Sequence, residues 1–159
     1  MKSLVLVRHG KSDWSGAHAD RDRPVGARGA RQAAETGRWL AAHGPSVQLA
    51  VVSPATRATA TWALVAEQLD HPVSVRPEEA VYTFDGDDLL EVVRDLPEDL
   101  ECVALVGHNP AMEELLAELS GGFLPMPTSC LAVLQWSGGW AEAGGGSADL
   151  LAHGRPPQA

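Results

Sequence analysis

Three segments of the chain share one order of residues: an apolar run rich in β-branched side chains, a tight polar turn, and then a helical pattern. The apolar runs occupy residues 4–7, 49–52 and 102–106. Parallel strands connect to helices in this way, and the helices then cover the faces of the sheet. The pattern therefore predicts an α/β fold with polar residues just beyond the ends of three strands.

Apolar residues at helical spacing predict four helices between and after these strands. The helices cover residues 28–42, 55–69, 87–96 and 112–119. Gly26 precedes the first helix, while Ser53 as N-cap and Pro54 at the first helical position fit the start of the second. Residues 73–75 predict a short edge strand.

The C-terminal part of the chain predicts the edge of the sheet. Residues 130–136 and 140–143 flank Ser137-Gly138-Gly139, a pattern typical of a hairpin. From about residue 145 to residue 159, glycine and proline predict a flexible tail. No internal repeat or linker divides the sequence, so we expect a single domain spanning residues 1–159.

Length and charge narrow the classes of function. A chain of 159 residues with 45% hydrophobic content has the size of one compact domain. The formal net charge of -9 argues against a nucleic-acid or anionic-membrane partner, since either needs a basic surface. The apolar run near the N-terminus is too short for a signal peptide or a membrane span, which predicts a cytoplasmic protein. Cys102 and Cys130 lie in apolar stretches and are expected to be buried free thiols.

Candidate chemistry lies at the ends of the three predicted strands. Arg8 and His9 follow the first strand, His108 follows the third, and Arg57 lies in the first turn of the helix after the second. Ligands of an open α/β sheet bind beyond the carboxyl ends of its strands. We therefore expect these four side chains to meet at one edge of the sheet.

Two arginines and two histidines suit a phosphoryl group. Arginine holds two phosphate oxygens with a planar charged fork, and a neutral imidazole nitrogen can attack phosphorus in line. The second imidazole would donate to the oxygens that gain charge in the transition state. Because Arg8, Arg57 and His108 supply this charge stabilisation, the scheme requires no metal and no cofactor.

Each of these residues also has a structural interpretation. A single histidine after a strand is more often a capping or surface residue than a nucleophile, and the combination of motifs favours the catalytic interpretation. Trp14 is a candidate for the pocket mouth, while Lys11 and Ser12 fit either a phosphate contact or a solvated turn. The charged run at residues 20–23 predicts a solvated loop. The other histidines lie in predicted loops or tails without such partners and are expected to be solvated. These are His18, His43, His71 and His153.

Three motifs make the chain resemble the histidine phosphatase superfamily, whose fold is shared with phosphoglycerate mutases. They are Arg8-His9-Gly10, Ser53-Pro54-Ala55-Thr56-Arg57-Ala58 with Thr61, and Gly107-His108-Asn109-Pro110. The short length, Arg23-Pro24 followed by Gly29, and Glu113-Glu114-Leu115-Leu116 are most similar to SixA-type phosphohistidine phosphatases. The resemblance implies a three-layer α/β/α fold around a mostly parallel sheet. It also implies a nucleophile at His9, phosphate ligands at Arg8 and Arg57, and a second pocket histidine at His108.

One departure from the family pattern bears on the substrate. Many relatives carry a glutamate proton donor where this chain reads Val81-Tyr82-Thr83, and Glu78, Glu79 and Asp85 remain candidates for that role. An alkoxide must be protonated as it leaves, whereas imidazole is far less basic. We therefore expect a protein phosphohistidine as the substrate. The alternatives are a general small-molecule phosphomonoesterase, a phosphoglycerate mutase, and a phosphate-binding module without catalysis.

Overall fold

Six strands form one mixed sheet in the computed structural model, which describes residues 1–157. The strands are β1 (Lys2–Arg8), β2 (Leu49–Val52), β3 (Ser74–Pro77), β4 (Cys102–Gly107), β5 (Leu131–Trp136) and β6 (Asp149–Gly154). Their order across the sheet is β3-β2-β4-β1-β5-β6. The strands β3, β2, β4 and β1 are parallel to one another, while β5 is antiparallel to its neighbours β1 and β6.

Four helices cover the two faces of this sheet and give a three-layer α/β/α fold. They are α1 (Ala27–His43), α2 (Thr56–Ala66), α3 (Gly86–Arg94) and α4 (Ala111–Ser120). Successive side chains of β1 point to opposite faces of the sheet. Leu4 and Leu6 pack in the core with α3 and α4, whereas Val5 and Val7 pack with α1 and α2. The predicted fold class is therefore confirmed. None of the helices in residues 1–157 has the length and apolar character needed to cross a bilayer.

The start of α2 differs from the prediction. The helix begins at Thr56 with Ala55 at the N-cap position, so Ser53 and Pro54 both precede it. The Ser53 hydroxyl lies 2.7 Å from a ring nitrogen of His108, a contact that a sequence pattern does not reveal. Gly26, by contrast, occupies the N-cap of α1 as predicted.

The predicted C-terminal hairpin is wrong. Trp140–Glu142 forms a short 3₁₀ helix, and its fully buried Trp140 packs edge-on against Trp136 instead of extending a strand. The edge strand that pairs with β5 on the side away from β1 is β6, which lies within the segment expected to be a flexible tail. Three glycines at positive φ, residues 144–146, let the chain turn back to the sheet. Residues 158 and 159 of the expected tail lie outside the described residues.

The strand order brings three chain segments to one place. β2, β4 and β1 are adjacent and parallel, so their carboxyl ends meet at the same edge. His9 follows β1, Ser53 follows β2 and His108 follows β4. The sheet thus places at one edge side chains that are far apart in the sequence.

Candidate active site

The four predicted residues meet in one cavity. Arg8, His9, Arg57 and His108 all line a cavity of about 350 Å³ at the carboxyl edge of the sheet. The rings of His9 and His108 are neighbours, with their centroids 5.1 Å apart and their planes tilted by 51°. Lys11, Ser12 and Trp14 also line it, so the pocket-mouth prediction for Trp14 is confirmed.

The ring of His9 has a defined proton position. Its Nδ1 lies 2.7 Å from the carbonyl oxygen of Gly10. Because a carbonyl oxygen only accepts, Nδ1 carries the proton and Nε2 keeps its lone pair. Burial lowers the pKa of His9 to about 4, with the charges of Arg57 and Arg8 acting in the same direction. The ring is therefore neutral near neutral pH, as an attacking nitrogen must be.

Close packing behind His9 explains why a glycine follows it. A Cβ atom on Gly10 would lie 3.0 Å from the carbonyl oxygen of Gly29 in α1. The backbone N-H of Gly10 donates to the Thr61 hydroxyl at 2.8 Å. These contacts hold the carbonyl that fixes the His9 ring.

His108 is almost fully buried, with 1% of its surface exposed. Its Nε2 lies 2.7 Å from the Ser53 hydroxyl, and its Nδ1 has no hydrogen-bond partner among residues 1–157. Burial lowers the pKa of His108 to about 3, followed by the effects of His9 and Arg57. This second imidazole is also neutral in the free protein.

Asp20 anchors two of the arginines. Arg57 donates from Nη1 to the Asp20 carbonyl oxygen at 2.6 Å and from Nη2 to Asp20 Oδ2 at 3.1 Å. Arg23 Nη2 lies 2.9 Å from the other carboxylate oxygen, and the Tyr82 hydroxyl donates to Asp20 as well. The bonds from Tyr82 and the two guanidinium groups lower the pKa of Asp20, so it stays ionised.

The prediction of a solvated loop at residues 20–23 is wrong for Arg23, whereas Asp20 is exposed as predicted but also contributes to the site. Asp20 and Arg23 line the cavity, and Arg23 is only 9% exposed. Short charged runs are usually solvated, and no periodic pattern marks residues that fold over a distant pocket. The only signal in the sequence was Arg23-Pro24, which resembles the SixA-type pattern but carries no role by itself.

Four buried side-chain nitrogen atoms have no hydrogen-bond partner among the described residues and belong to residues that line this cavity. Within residues 1–157, no partner is found for the Nε atoms of Arg8, Arg23 and Arg57 or for Nδ1 of His108. Buried donors are nearly always paired in native proteins, because an unpaired one costs free energy. All four belong to residues that line the same cavity, an arrangement suited to a tetrahedral anion such as phosphate.

The carboxylates proposed as proton donors lie elsewhere. Glu79 pairs with Arg21, Asp85 accepts from the Asp87 N-H at the start of α3, and Glu78 lies 3.9 Å from Arg76. None of the three lines the cavity, where Asp20 supplies the only carboxylate among residues 1–157. Within the same residues, no group of three or more histidine, cysteine or acidic side chains could hold a metal ion.

Two exposed aromatic residues border the cavity. Trp14 is 73% exposed and Phe84 is 60% exposed, and both line it. The Arg23 guanidinium lies 3.6 Å from the centroid of the Trp14 ring, a cation-π contact that holds Trp14 at the mouth. Large apolar side chains in this position give the mouth an apolar rim.

Comparison with known proteins agrees with this geometry. Residues 4–80 match the histidine phosphatase superfamily (branch 1). Uncharacterized protein Rv1276c of Mycobacterium tuberculosis is 34% identical over 156 residues, which cover 91% of this chain and 96% of that protein. A phosphohistidine phosphatase SixA homolog of Haemophilus influenzae is 29% identical over 153 residues, covering 88% of this chain and 92% of the homolog.

A solved structure shares the whole fold. It is a candidate phosphohistidine phosphatase SixA from Nakamurella multipartitia, with a TM-score of 0.84 and 29% identity. The match covers 98% of this chain and 96% of that one. The chain therefore belongs to the histidine phosphatase superfamily and resembles its SixA-type members, which supports phosphatase activity.

Proposed function

We propose that this phosphatase takes the phosphoryl group of a protein phosphohistidine onto His9 and then releases it to water. One observation carries the proposal. His9, with its lone pair on Nε2, lines a cavity whose other residues carry four buried nitrogen atoms without a hydrogen-bond partner among residues 1–157. A nucleophile surrounded by anion-binding groups is the arrangement that phosphoryl transfer requires.

The first step forms one bond and breaks one. Nε2 of His9 attacks phosphorus, and the bond between phosphorus and the substrate nitrogen breaks, with its electron pair going to that nitrogen. Arg8 and Arg57 hold the phosphoryl oxygens and balance their charge. The Nδ1-H of His9 donates to the Gly10 carbonyl and so stabilises the positive charge that the phosphorylated ring acquires.

The second step returns the enzyme to its starting state. A water oxygen attacks phosphorus and loses a proton to solvent, while the bond to Nε2 breaks and its electron pair returns to His9. Inorganic phosphate leaves the cavity. The same arginines and His108 serve this step, because its transition state carries the same distribution of charge.

No protonated carboxylic acid is available in the cavity among residues 1–157, which favours a substrate with a weakly basic leaving group. Asp20 is held ionised by Arg57, Arg23 and Tyr82 and so has no proton to give. A phosphohistidine ring protonated on its second nitrogen leaves as neutral imidazole, whereas an alkoxide must gain a proton as it leaves. This difference supports a phosphohistidine over a phosphate monoester.

The apolar rim supports a protein as the carrier of that phosphohistidine. Trp14 and Phe84 expose most of their rings at the cavity mouth. A sugar phosphate offers less apolar surface to cover them than the side chains that flank a phosphohistidine in a protein. Exposed aromatic residues beside a charged pocket are typical of protein recognition.

We also propose that the reaction needs no metal ion. Three guanidinium groups line the cavity, and their charge takes the part that magnesium plays in kinases. Turnover in excess EDTA should equal turnover in magnesium. A loss of activity in EDTA that added magnesium restores would contradict this proposal.

The nucleophile is tested by trapping the phosphoenzyme. The protein is mixed with a phosphohistidine protein labelled in its phosphoryl group and quenched in alkaline denaturant, because the phosphorus-nitrogen bond breaks in acid. We expect label on the wild-type protein and none on His9→Ala, which should also lose hydrolysis. His43→Ala, outside the cavity, is the matched control and should be labelled normally.

Two outcomes would contradict the proposal in different ways. Hydrolysis retained by His9→Ala would reject the nucleophile, and binding of phosphate without any hydrolysis by the wild-type protein would indicate a binding module. Turnover of simple phosphate monoesters much faster than turnover of a phosphohistidine peptide would reject the substrate class.

A further inference from the structure

We infer that Ser53 sets the tautomer of His108: its hydroxyl donates to Nε2 and keeps the ring proton on Nδ1, from which His108 donates to the phosphoryl group. Ser53 is thus a positioning residue that acts through His108. The assignment of the ring proton stands on the geometry of the free protein. Its use in the reaction rests on the proposed function.

Adjacent parallel strands hold the two residues in register. Ser53 follows β2 and His108 follows β4, and the backbone N-H of Ser53 donates to the Val106 carbonyl at 3.0 Å. Ser53 is fully buried, and its Oγ lies 2.7 Å from Nε2 of His108. The contact therefore joins two residues whose positions the sheet determines.

Counting protons separates the two possible directions of this hydrogen bond. The Ser53 oxygen already accepts from the backbone N-H of Ala55 at 3.3 Å. If it also accepted from Nε2-H, its own hydrogen would be buried without any acceptor found among residues 1–157. If the hydroxyl instead donates to Nε2, both the hydrogen and the oxygen of Ser53 have a partner. The second direction satisfies both the hydrogen and the oxygen of the Ser53 hydroxyl group.

The direction decides what His108 presents to an anion. A neutral imidazole has one N-H, so a proton on Nε2 would leave a lone pair on Nδ1. A lone pair repels phosphate oxygens, whereas an N-H donates to them. Nδ1 is the buried ring atom without a partner among residues 1–157, and His108 lines the cavity. Only the tautomer that Ser53 favours puts an N-H on Nδ1, from which His108 can donate to an anion in the cavity.

Ser53 can set the tautomer of His108 because burial keeps the ring neutral, with a single proton. A doubly protonated ring would donate from both nitrogens whatever Ser53 did. Because burial lowers the pKa of His108 to about 3, the ring in the free protein carries a single proton. The position of that proton is then set by the hydrogen bond that the other nitrogen makes.

The proton position is measured directly by nitrogen-15 NMR of the histidine side chains in the wild-type protein near neutral pH. His108, assigned by comparison with His108→Gln, should show a protonated Nδ1 and an unprotonated Nε2. In Ser53→Ala the ring should populate the other tautomer as well. A protonated Nε2 in the wild-type protein, or an unchanged ring in Ser53→Ala, would overturn the inference.

Kinetics supply a second measurement on the same variant. Ser53→Ala should lower kcat by about tenfold with little change in KM, because the lost donor acts chiefly in the transition state. Ser120→Ala removes a serine hydroxyl bond outside the cavity and should leave kcat unchanged. A rise in KM alone, or an equal effect of Ser120→Ala, would show that Ser53 has only a structural role.

The two readouts separate this inference from the proposed function. The NMR measurement needs no substrate, so it tests Ser53 even if the protein hydrolyses no phosphohistidine. A wild-type protein with the expected tautomer but no phosphoenzyme would overturn the proposed function and leave the positioning of His108 intact.

Discussion

Two cavities lie side by side and differ in the sign of their charge. The cavity of about 350 Å³ is lined by Arg8, Arg23, Arg57 and two neutral histidines. The other, of about 430 Å³, is larger, and five of the ten residues that line it carry carboxylates. These are Glu78, Glu79, Asp88, Glu91 and Asp95. The hydrogen bond from Tyr82, which lines the acidic cavity, to Asp20, which lines the basic one, joins them.

The difference shows that neither the volume of a cavity nor the net charge of the chain locates a phosphate site. The chain as a whole carries a formal charge of -9, and its larger cavity would repel phosphate. Buried guanidinium groups act over a few ångströms, where screening by water is weak. The smaller cavity is therefore the place for a dianion, and variants of both cavities test this assignment.

The largest effect is expected from Arg57→Ala. The change removes a guanidinium from the phosphate site and leaves the Asp20 carboxylate near the substrate without that partner. We expect kcat/KM to fall by about a thousandfold, the size of effect seen when a preorganised charged donor is lost. Arg76→Ala in the acidic cavity is the control and should change kcat/KM by less than about twofold. Equal effects of the two changes would mean that the basic cavity is not the site.

Acid should destabilise the protein through its buried histidines. The pKa of His9 is about 4 in the folded state and the ordinary 6.5 when unfolded, so between these values the unfolded chain binds more protons. Stability is therefore lost as the pH falls below about 6.5, by about 2 kcal/mol for one such group between pH 7 and pH 5. Urea unfolding of wild type and His9→Asn measures this. A variant that loses as much stability as wild type over this window would contradict the cause.

Asp20→Asn tests the link between the two cavities. It weakens the acceptor that holds Arg57, Arg23 and Tyr82. We expect kcat to fall by about tenfold, because a misplaced guanidinium stabilises the transition state less. Asp88→Asn in the acidic cavity serves as the control and should have no comparable effect. A gain of activity in Asp20→Asn would mean that its carboxylate competes with phosphate rather than orienting Arg57.

The smallest effect is expected at the rim. Phe84→Ala should raise KM for a phosphohistidine protein by about fivefold, because an apolar contact at the mouth is lost. Turnover of phosphoramidate, which is too small to cover the rim, should not change. Leu151→Ala, another exposed apolar residue that does not line the cavity, is the matched control. An equal effect of Phe84→Ala on phosphoramidate would reject the rim as a protein contact.

The sequence predicted most of the site because the site follows the strands. Apolar runs locate β1, β2 and β4, and parallel strands share an edge, so the meeting of His9 and His108 could be inferred from local patterns. Asp20 could not be found in this way. It begins a 3₁₀ helix of only three residues (Asp20–Asp22), and its contact with Arg57 joins residues 37 positions apart without any periodic signal.

The C-terminal part illustrates the same limit. Glycine-rich sequence predicts disorder when nothing else constrains it, yet β6 is held by its backbone bonds to β5. Trp140 was expected in a strand, and its indole N-H donates to the Leu100 carbonyl while the ring fills the core. Both outcomes depend on partners that are distant in the sequence.

What the sequence determined by itself was the fold class and the kinds of residue at three strand ends, because strand and helix periodicity is local. Tertiary structure alone decided which nitrogen of each histidine keeps its lone pair, which arginines Asp20 holds, and which of two cavities is basic. These properties depend on hydrogen bonds across the fold, such as those that join Gly10 to Thr61, Ser53 to His108 and Asp20 to Arg57. Burial then gives these bonds their strength, since the same contacts in water would be worth little.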